Sequence, residues 1–337
     1  MANIMLTYRC NLRCPYCFAN EFVGKESTDI TIENFLKAVT FITTSGEDRV
    51  GLIGGEPTLH PGFPVIMDLL IANPKVKYIE VFTNGLLIDK YIQQLTHPKV
   101  DICINCNSPH MIGEKTYACL QDNLDLLILQ HEMKDRIQLG INLYSNDLDY
   151  SYIIDLLRRY DLHRLRTSIT VPNFSACNYP DAMDFFMTRK KYLLGFYRSL
   201  DSINVLPYSD CNRPPYCIWD DEEKKWLEEY VAKYPGRHTN LTSTYSFCVP
   251  AIDILPDLQA VRCFGMSDFL KVPIFDFKSV SDIINYFQNE IDSVAYKLPT
   301  CEDCKECHEF KVRHCIGSCI GYKAPRIRSF NEAVSNL

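Results

Sequence analysis

Apolar residues along the first two thirds of the chain follow two different spacings. Short runs rich in β-branched and aromatic residues are typical of strands, and six of them occur: NIMLTY, RVGLIG, YIEVFT, VDICIN, IQLGINLY and LRTSITV. Each run precedes a segment with the apolar spacing of an amphipathic helix: TIENFLKAVTFI, FPVIMDLLIA, LLIDKYIQQL, TYACLQDNLDLLILQ, YSYIIDLLRRY and DAMDFFMTRKKYLLGFY. In the first of these helices Thr31 is placed as the N-cap, and four apolar residues share one face: Ile32, Phe35, Leu36 and Val39.

This repetition predicts an α/β fold. Consecutive strand-then-helix units form a parallel sheet with right-handed crossovers, curved into all or part of a barrel. Ligands of such sheets bind at the carboxyl ends of the strands, in the loops that lead to the helices. We predict a partial (β/α)6 barrel core over residues 1–200, a connecting segment at 201–247 and a small Cys-rich domain at 248–337.

Composition narrows the classes of function. The chain has 337 residues, 47% of them hydrophobic, which is enough for a large α/β domain or a barrel with an appended module. Its net charge of −7 and the lack of a long basic run argue against a nucleic-acid partner. The sequence shows no apolar stretch of about 18 residues and no signal-peptide pattern. We therefore expect a cytoplasmic protein with no membrane partner.

The 16 cysteines change the picture most. In a reducing compartment, thiols at short regular spacing are more often metal ligands than disulfide partners. Three lie near the start and seven toward the end of the chain: Cys10, Cys14 and Cys17, then Cys248, Cys263, Cys301, Cys304, Cys307, Cys315 and Cys319. The six scattered ones are interpreted as small hydrophobic residues: Cys103, Cys106, Cys119, Cys177, Cys211 and Cys217.

The first three cysteines occupy the loop after the first predicted strand. An iron–sulfur cluster takes four ligands, so three cysteines leave one iron open to a substrate or cofactor. Cys10-x3-Cys14-x2-Cys17, with Tyr16 before the last cysteine, resembles the signature of radical S-adenosylmethionine (radical SAM) enzymes. The spacing by itself also suits a zinc knuckle.

A second motif strengthens this resemblance. The segment GLIGGEPTLHP follows the second predicted strand and is similar to the GGEP motif of the family, at Gly54, Gly55, Glu56 and Pro57. The resemblance implies that this loop binds the methionine part of S-adenosylmethionine. The two glycines would let backbone carbonyls approach the ammonium group. Glu56 would either add charge at the site or hold the loop, and the sequence leaves both roles open.

Further similarities to the family are less specific. Thr83 and Asn84 in VFTNGLL resemble its TNG strand end, although Asn-Gly is also an ordinary turn. ICINCNS resembles the place where the family often has a serine or asparagine that binds the ribose, and Asn105 is the candidate because a polar side chain inside a barrel needs a partner. Arg166 is assigned either to the cofactor carboxylate or to a helix cap. No catalytic acid or base is assigned, since His60, His308 and His314 are interpreted as solvated or structural.

The end of the chain resembles the SPASM extension of radical SAM enzymes, or its shorter twitch form. SPASM and twitch domains carry auxiliary [4Fe–4S] clusters, and we predict one or two of them, with a zinc ribbon as the alternative for the spacing alone. The pattern departs from the family by a longer gap before Cys315 and by the lack of a cysteine after Cys319. One ligand set would be Cys301, Cys304, Cys307 and Cys315, and the other Cys248, Cys263 and Cys319 with Cys217, a substrate or nothing as the fourth ligand.

The resemblance also implies the chemistry. A reduced [4Fe–4S] cluster would cleave S-adenosylmethionine to a 5′-deoxyadenosyl radical, which abstracts a substrate hydrogen, with electrons from a flavodoxin- or ferredoxin-type donor. Auxiliary clusters favour net oxidation, so we predict an oxidoreductase that matures a ribosomally made peptide. A small-molecule dehydrogenase and a non-catalytic electron carrier are the alternatives. Phe264 stands where sulfatase-maturing relatives have aspartate, which argues against that activity.

Overall fold

The computed structural model describes residues 2–17, 28–170, 182–246, 248–263, 266, 269–327 and 329, so Phe264 and Cys177 lie outside the described residues. The strands are β1 (Ala2–Met5), β2 (Arg49–Ile53), β3 (Tyr78–Thr83), β4 (Val100–Asn105), β5 (Ile137–Leu143), β6 (Arg164–Ile169), β7 (Leu206–Cys211), β8 (Ile252–Ile254), β9 (Gln259–Val261) and β10 (Lys271–Pro273). The helices are α1 (Ile32–Thr44), α2 (Phe63–Ala72), α3 (Ile92–Leu95), α4 (Pro109–Ile112), α5 (Glu114–Asp125), α6 (Ser151–Arg159), α7 (Ala182–Asp201), α8 (Asp221–Ala232), α9 (Val280–Phe287), α10 (Ser293–Ala295) and α11 (His308–Lys311). Across the described ranges, none of these helices is long and apolar enough to span a bilayer.

The first of two compact units comprises Met1–Gly140 and Pro250–Phe287. Its sheet has the strand order β10-β9-β8-β1-β2-β3-β4-β5, in which β8 and β1 to β5 pair in parallel and β9 and β10 pair antiparallel. β1 lies inside this sheet, with Ala2, Ile4 and Met5 fully buried. β8 to β10 have three residues each, too short for a periodic pattern to predict.

The unit boundaries differ from the predicted domain boundaries. Residues 250–287 belong to the first unit because β8 pairs with β1. The assignment of 1–200, 201–247 and 248–337 to separate functional domains stays a prediction.

The helices of the first unit confirm most of the predicted pattern. Thr31 caps α1, since its hydroxyl oxygen accepts a 3.1 Å hydrogen bond from the Asn34 N–H. Phe35 and Val39 are buried as predicted, but Leu36 is 43% exposed because it lies about 100° around the helix from Phe35, at the edge of the apolar face. The segment LLIDKYIQQL forms only a short 3₁₀ turn at Asp89–Tyr91 followed by α3.

The second unit comprises Ile141–Val249 and Gln288–Leu337. β6 and β7 pair in parallel with a register shift after Thr167, and α6, α7 and α8 belong to the same unit. The ring of Tyr322 packs 5.7 Å from that of Phe185 and 5.9 Å from that of Phe186, which attaches the end of the chain to α7. The parallel pairing in both units confirms the predicted α/β class and agrees with part of a (β/α)6 barrel.

Candidate active site

The three front cysteines lie in the loop that follows β1, at the carboxyl end of this strand. All three are half-buried. The Leu12 N–H donates to Cys10 Sγ at 3.4 Å, and the Cys17 N–H donates to the Cys14 carbonyl at 3.1 Å, which closes a tight turn. Burial raises the pKa of Cys10 to about 11 and raises that of Cys14. Thiols in this position become thiolates when a positively charged group such as iron binds them.

Asn107 connects the end of β4 to the cysteine loop. The Tyr16 hydroxyl donates a 2.6 Å hydrogen bond to Asn107 Oδ1, and Asn107 Nδ2 donates to Cys14 Sγ at 3.7 Å. Asn107 is buried. The sequence analysis selected Asn105 from this segment and missed Asn107, which lies just past the strand end, where parallel sheets carry their functional residues.

Gly54 and Gly55 pack against the backbone that leads into the cysteine loop. The Gly55 N–H donates to the Thr7 carbonyl at 2.8 Å, and the Glu56 N–H donates to the Arg9 carbonyl at 2.7 Å. A Cβ on Gly54 would lie 2.8 Å from the Thr7 oxygen, and one on Gly55 would lie 2.8 Å from the Arg9 carbonyl carbon. Glycine is therefore required here by a close approach within the protein. The predicted approach of these residues to the cofactor ammonium stays a prediction.

The Glu56 side chain is buried and ties two loops together. It accepts hydrogen bonds from the Thr58 hydroxyl at 2.6 Å, the Thr83 hydroxyl at 2.7 Å and the Asn84 N–H at 2.7 Å. Burial raises the pKa of this carboxyl, and these donors act in the opposite direction. Pro57 follows as the first residue of a short 3₁₀ turn that Glu56 caps. Of the two roles left open for Glu56, these contacts support the one that holds the loop.

The TNG turn after β3 contacts the cysteine loop directly. Asn84 Nδ2 donates a 2.7 Å hydrogen bond to Asn11 Oδ1, next to Cys10 in the chain. Thr83 reaches the same region through Glu56. Asn11 was not singled out in the sequence, where only its place beside Cys10 could have indicated it. Asn84 thus contacts the loop that carries the three cysteines, and the place of Thr83 and Asn84 beside the cofactor stays a prediction.

Three other predicted positions lie elsewhere or have structural partners. Asn105 ends β4 and is half-buried, so its contact with the ribose stays a prediction. Arg166 belongs to the second unit, where its guanidinium pairs with Asp210 at 2.6 Å, and its role toward the cofactor also stays a prediction. His60 is buried, with Nε2 at 2.8 Å from the Ile30 carbonyl. This geometry agrees with the structural interpretation of His60.

The C-terminal cysteines fall mostly in the second unit. Cys301 Sγ lies 3.5 Å from Cys304 Sγ. Two further thiols accept hydrogen bonds from the backbone. The Gly317 N–H donates to Cys315 Sγ at 3.2 Å, and the Gly321 N–H donates to Cys319 Sγ at 3.3 Å. The structure places Cys248 in this unit as well, whereas Cys263 belongs to the first unit. Such N–H···S bonds are typical of protein iron–sulfur sites, whose potentials they tune.

Two of the scattered cysteines lie close to thiols of the C-terminal group. The Cys319 thiol lies close enough to Cys211 to lower its pKa, against the effect of burial. Cys217 is exposed, and Cys304, Cys307 and Cys315 lie close enough for their charges to raise its pKa, after the larger effect of partial desolvation. Neither is therefore an isolated hydrophobic residue. By contrast, Cys103 and Cys106 are buried within the first unit, as interpreted.

The comparison with protein families decides the class of the first unit. Residues 4–110 match the radical SAM superfamily, a range that includes the cysteine loop, the GGEP loop and the TNG turn. This part of the chain is a radical SAM domain. Such a domain implies a [4Fe–4S] cluster and S-adenosylmethionine. The donor chemistry fits the cluster, since three half-buried thiols lie in one loop and two of them, Cys10 and Cys14, accept N–H···S bonds from Leu12 and Asn107. Within the described residues, no three His, Cys, Asp or Glu side chains gather as ligands of one metal ion.

Curated relatives of the radical SAM domain share less than half of the chain. The molybdenum cofactor biosynthesis protein moc-5 of Caenorhabditis elegans is 35% identical over 172 residues, which cover 44% of this chain and 29% of that protein. A GTP 3′,8-cyclase of Clostridium perfringens is 29% identical over 173 residues, which cover 44% of this chain and 53% of the cyclase. The chain thus spans about half or less of the length of these relatives.

Solved structures share the fold over most of the chain. Streptococcus suis SuiB bound to S-adenosylmethionine superimposes with a TM-score of 0.58 at 15% identity, covering 94% of this chain and 72% of SuiB. SuiB bound to the precursor peptide SuiA gives a TM-score of 0.59 at 15% identity, with 94% and 71% coverage. The fold therefore resembles that of SuiB both within the radical SAM domain and beyond it.

Proposed function

We propose that the chain is a radical SAM oxidoreductase that modifies a ribosomally made peptide. The observation that carries this proposal is the likeness to SuiB over 94% of the chain. That likeness extends past the radical SAM domain, and SuiB binds a precursor peptide. The sulfur-rich second unit supports an oxidative outcome.

In this proposal the residues of the radical SAM domain hold the cofactors in place. When bound, the [4Fe–4S] cluster and S-adenosylmethionine supply a 5′-deoxyadenosyl radical that takes a hydrogen atom from the substrate. Cys10, Cys14 and Cys17 hold the cluster by three corners. Glu56 and the TNG turn keep the loops around it in fixed positions.

Apolar packing behind the cysteine loop limits access of water. Cys17 packs against Met5, Leu255 and Val261, which are almost fully buried. Leu255 lies between β8 and β9, and Val261 is the last residue of β9. The strands that the sequence analysis missed therefore line the inner side of the cluster loop. A low-dielectric surrounding is one of the factors that set a cluster's potential.

The second unit is proposed to hold one or two auxiliary [4Fe–4S] clusters. Loss of a hydrogen atom leaves a substrate radical, and loss of one more electron and a proton gives a closed-shell product such as a crosslink or an alkene. An auxiliary cluster supplies an acceptor for that electron. We further propose a flavodoxin- or ferredoxin-type protein as the electron donor and a cytoplasmic location.

Nucleotide cyclisation is the second candidate function. The curated relatives named GTP 3′,8-cyclase support it, with 29% identity over 173 residues in one of them. Those matches cover 44% of this chain, and the likeness to SuiB covers 94%. The greater coverage favours the peptide modifier.

The test is substrate-dependent cleavage of S-adenosylmethionine. Anaerobically reconstituted protein is incubated with dithionite, S-adenosylmethionine and either GTP or short peptides encoded beside its gene, and 5′-deoxyadenosine is measured. We expect a peptide to increase 5′-deoxyadenosine formation and to lose two mass units per modification, and GTP to have no effect. Stimulation by GTP alone would support the cyclase. No 5′-deoxyadenosine in any mixture would leave an electron carrier and contradict both enzymes.

A further inference from the structure

Side-chain hydrogen bonds join the residues beside Cys211 to those beside Cys319. Asn212 Oδ1 lies 3.2 Å from the Ser318 hydroxyl, which also lies 3.3 Å from the Arg213 carbonyl. Asn212 Nδ2 donates to the Tyr322 hydroxyl at 3.0 Å. Both Asn212 and Ser318 are buried, so the contacts that bring β7 against the segment around Cys319 are shielded from water.

The backbone turns sharply on both sides of this junction. Asn212 has φ of 51° and Ser318 has φ of 91°, in the left-handed region that residues other than glycine rarely adopt. Such positions persist where the surrounding structure holds them, and they are concentrated at functional sites. Here Asn212 follows Cys211 and Ser318 precedes Cys319, and their side chains are hydrogen-bonded to each other. The two turns thus bring the segments that carry Cys211 and Cys319 together.

A second group of thiols forms around Cys315. Thr300 Oγ1 donates to the Gly317 carbonyl at 3.0 Å, which fastens the start of the Cys301–Cys307 segment to the residues after Cys315. Ser246 forms a parallel bridge with Cys315. Cys304, Cys307 and Cys315 all interact electrostatically with Cys217, which lies in the 3₁₀ turn Tyr216–Ile218 before α8. Cys217 thus lies within electrostatic reach of three thiols from two other segments.

A buried positive charge accompanies this second group. Lys323 is 1% exposed, and its ammonium donates to the Ala295 carbonyl at 3.0 Å and lies 5.1 Å above the Phe310 ring. Burial lowers the pKa of Lys323 to about 8, and the charges of Cys304 and Cys315 act in the opposite direction. A buried ammonium is costly unless negative charge lies nearby. Metal-bound thiolates at Cys304 and Cys315 would supply that charge.

We propose that Cys211 and Cys217 are ligands of two different auxiliary iron–sulfur clusters, Cys211 together with Cys319 and Cys217 together with Cys304, Cys307 and Cys315. The assignment rests on the proposed function, which includes auxiliary clusters. It gives Cys217 the fourth position that the sequence analysis gave to Cys301. It also adds to the Cys319 set a ligand from β7, far from the C-terminal motif in the chain.

The test compares the full chain with Cys211→Ala, Cys217→Ala and the double variant after anaerobic reconstitution. Cys119→Ala, in α5 of the first unit, is the matched control. Iron and acid-labile sulfide are measured per chain, and the reduced proteins are examined by EPR and Mössbauer spectroscopy. With three four-iron clusters the wild type holds about twelve irons, and we expect each single variant to lose up to about four and the double variant up to about eight. The two single variants should lose different EPR signals, and Cys119→Ala should lose none.

Other outcomes separate this inference from the proposed function. Unchanged iron and unchanged spectra in both single variants would overturn the ligand assignment while leaving auxiliary clusters in place. Loss of one and the same signal in both variants would overturn the division into two sets. A wild type with about four irons and with bound zinc would overturn the auxiliary clusters themselves. If the alanine variants do not fold, Cys211→Ser and Cys217→Ser decide, because a serine ligand keeps the iron but shifts the EPR signal of its own cluster.

Discussion

The Thr83 hydroxyl donates a 2.7 Å hydrogen bond to the buried carboxylate of Glu56. Glu56 follows β2 and Thr83 ends β3, so this bond fastens the carboxyl ends of two neighbouring strands. The second oxygen of the same carboxylate accepts the Asn84 N–H. The acidic residue of the GGEP motif thus fixes the relative positions of two loops of the radical SAM domain.

Replacing Glu56 by glutamine should break part of this junction. The carboxylate accepts hydrogen bonds with both oxygens, and an amide has only one, so a buried donor loses its acceptor. We expect Glu56→Gln to lower the free energy of unfolding by about 1–3 kcal/mol and to weaken S-adenosylmethionine binding. Urea unfolding measures the stability, and calorimetry measures the binding of S-adenosylmethionine. Glu33→Gln, an exposed change on α1, is the control and should alter neither, and equal effects of the two variants would contradict the prediction.

The close approach of Gly55 to the Arg9 carbonyl predicts a steric effect. Gly55→Ala places a methyl group against this backbone, which cannot move without displacing the cysteine loop. We expect a loss of about 1–3 kcal/mol in stability and incomplete incorporation of the catalytic cluster. Gly195→Ala is the opposite case, because this helical glycine has the Tyr150 hydroxyl 3.8 Å away as its nearest neighbour. Gly195→Ala should raise the free energy of unfolding by about 0.5–1 kcal/mol. Equal losses of stability in the two variants would contradict a steric effect specific to Gly55.

The N–H···S bond from Asn107 to Cys14 predicts a change in redox potential. Hydrogen bonds to sulfur stabilise the reduced, more negative cluster. We expect Asn107→Ala to lower the midpoint potential of the catalytic cluster, measured by EPR-monitored titration. Tyr16→Phe removes only the partner of Asn107 and should have a smaller effect. Identical potentials in wild type and Asn107→Ala would contradict a role of this bond.

The local sequence pattern was sufficient to predict the strands of the six strand-then-helix repeats. The strands β1 to β6 begin within one residue of the predicted runs, because runs of β-branched residues are typical of strands in parallel sheets. β8 to β10 were missed, since three residues carry no usable period. Thr31 was correct as a cap because capping depends only on residues two or three positions away.

The site was predictable only where a motif marks it. The three cysteines and the GGEP loop are brought together with Thr83 and Asn84, all of which the motifs had indicated. Asn107 and Cys211 were not selected, because their partners are distant in the chain and their own surroundings resemble ordinary loops. Arg166 was selected from strand position alone, and its pairing with Asp210 depends on β7, which the sequence analysis did not predict.

Lys323 provides a test of the charge at the proposed auxiliary site. Its buried ammonium lies near Cys304 and Cys315, where it would stabilise the extra negative charge of a reduced cluster. Lys323→Met keeps the length of the side chain and removes the charge, so we expect the potential of one auxiliary cluster to fall by on the order of 50 mV. Lys305→Met is the matched control, because Lys305 is exposed and paired with Glu302, and water screens its charge. Redox titration of both variants decides: a shift in Lys323→Met alone supports the buried charge beside a cluster, and equal shifts or none would contradict it.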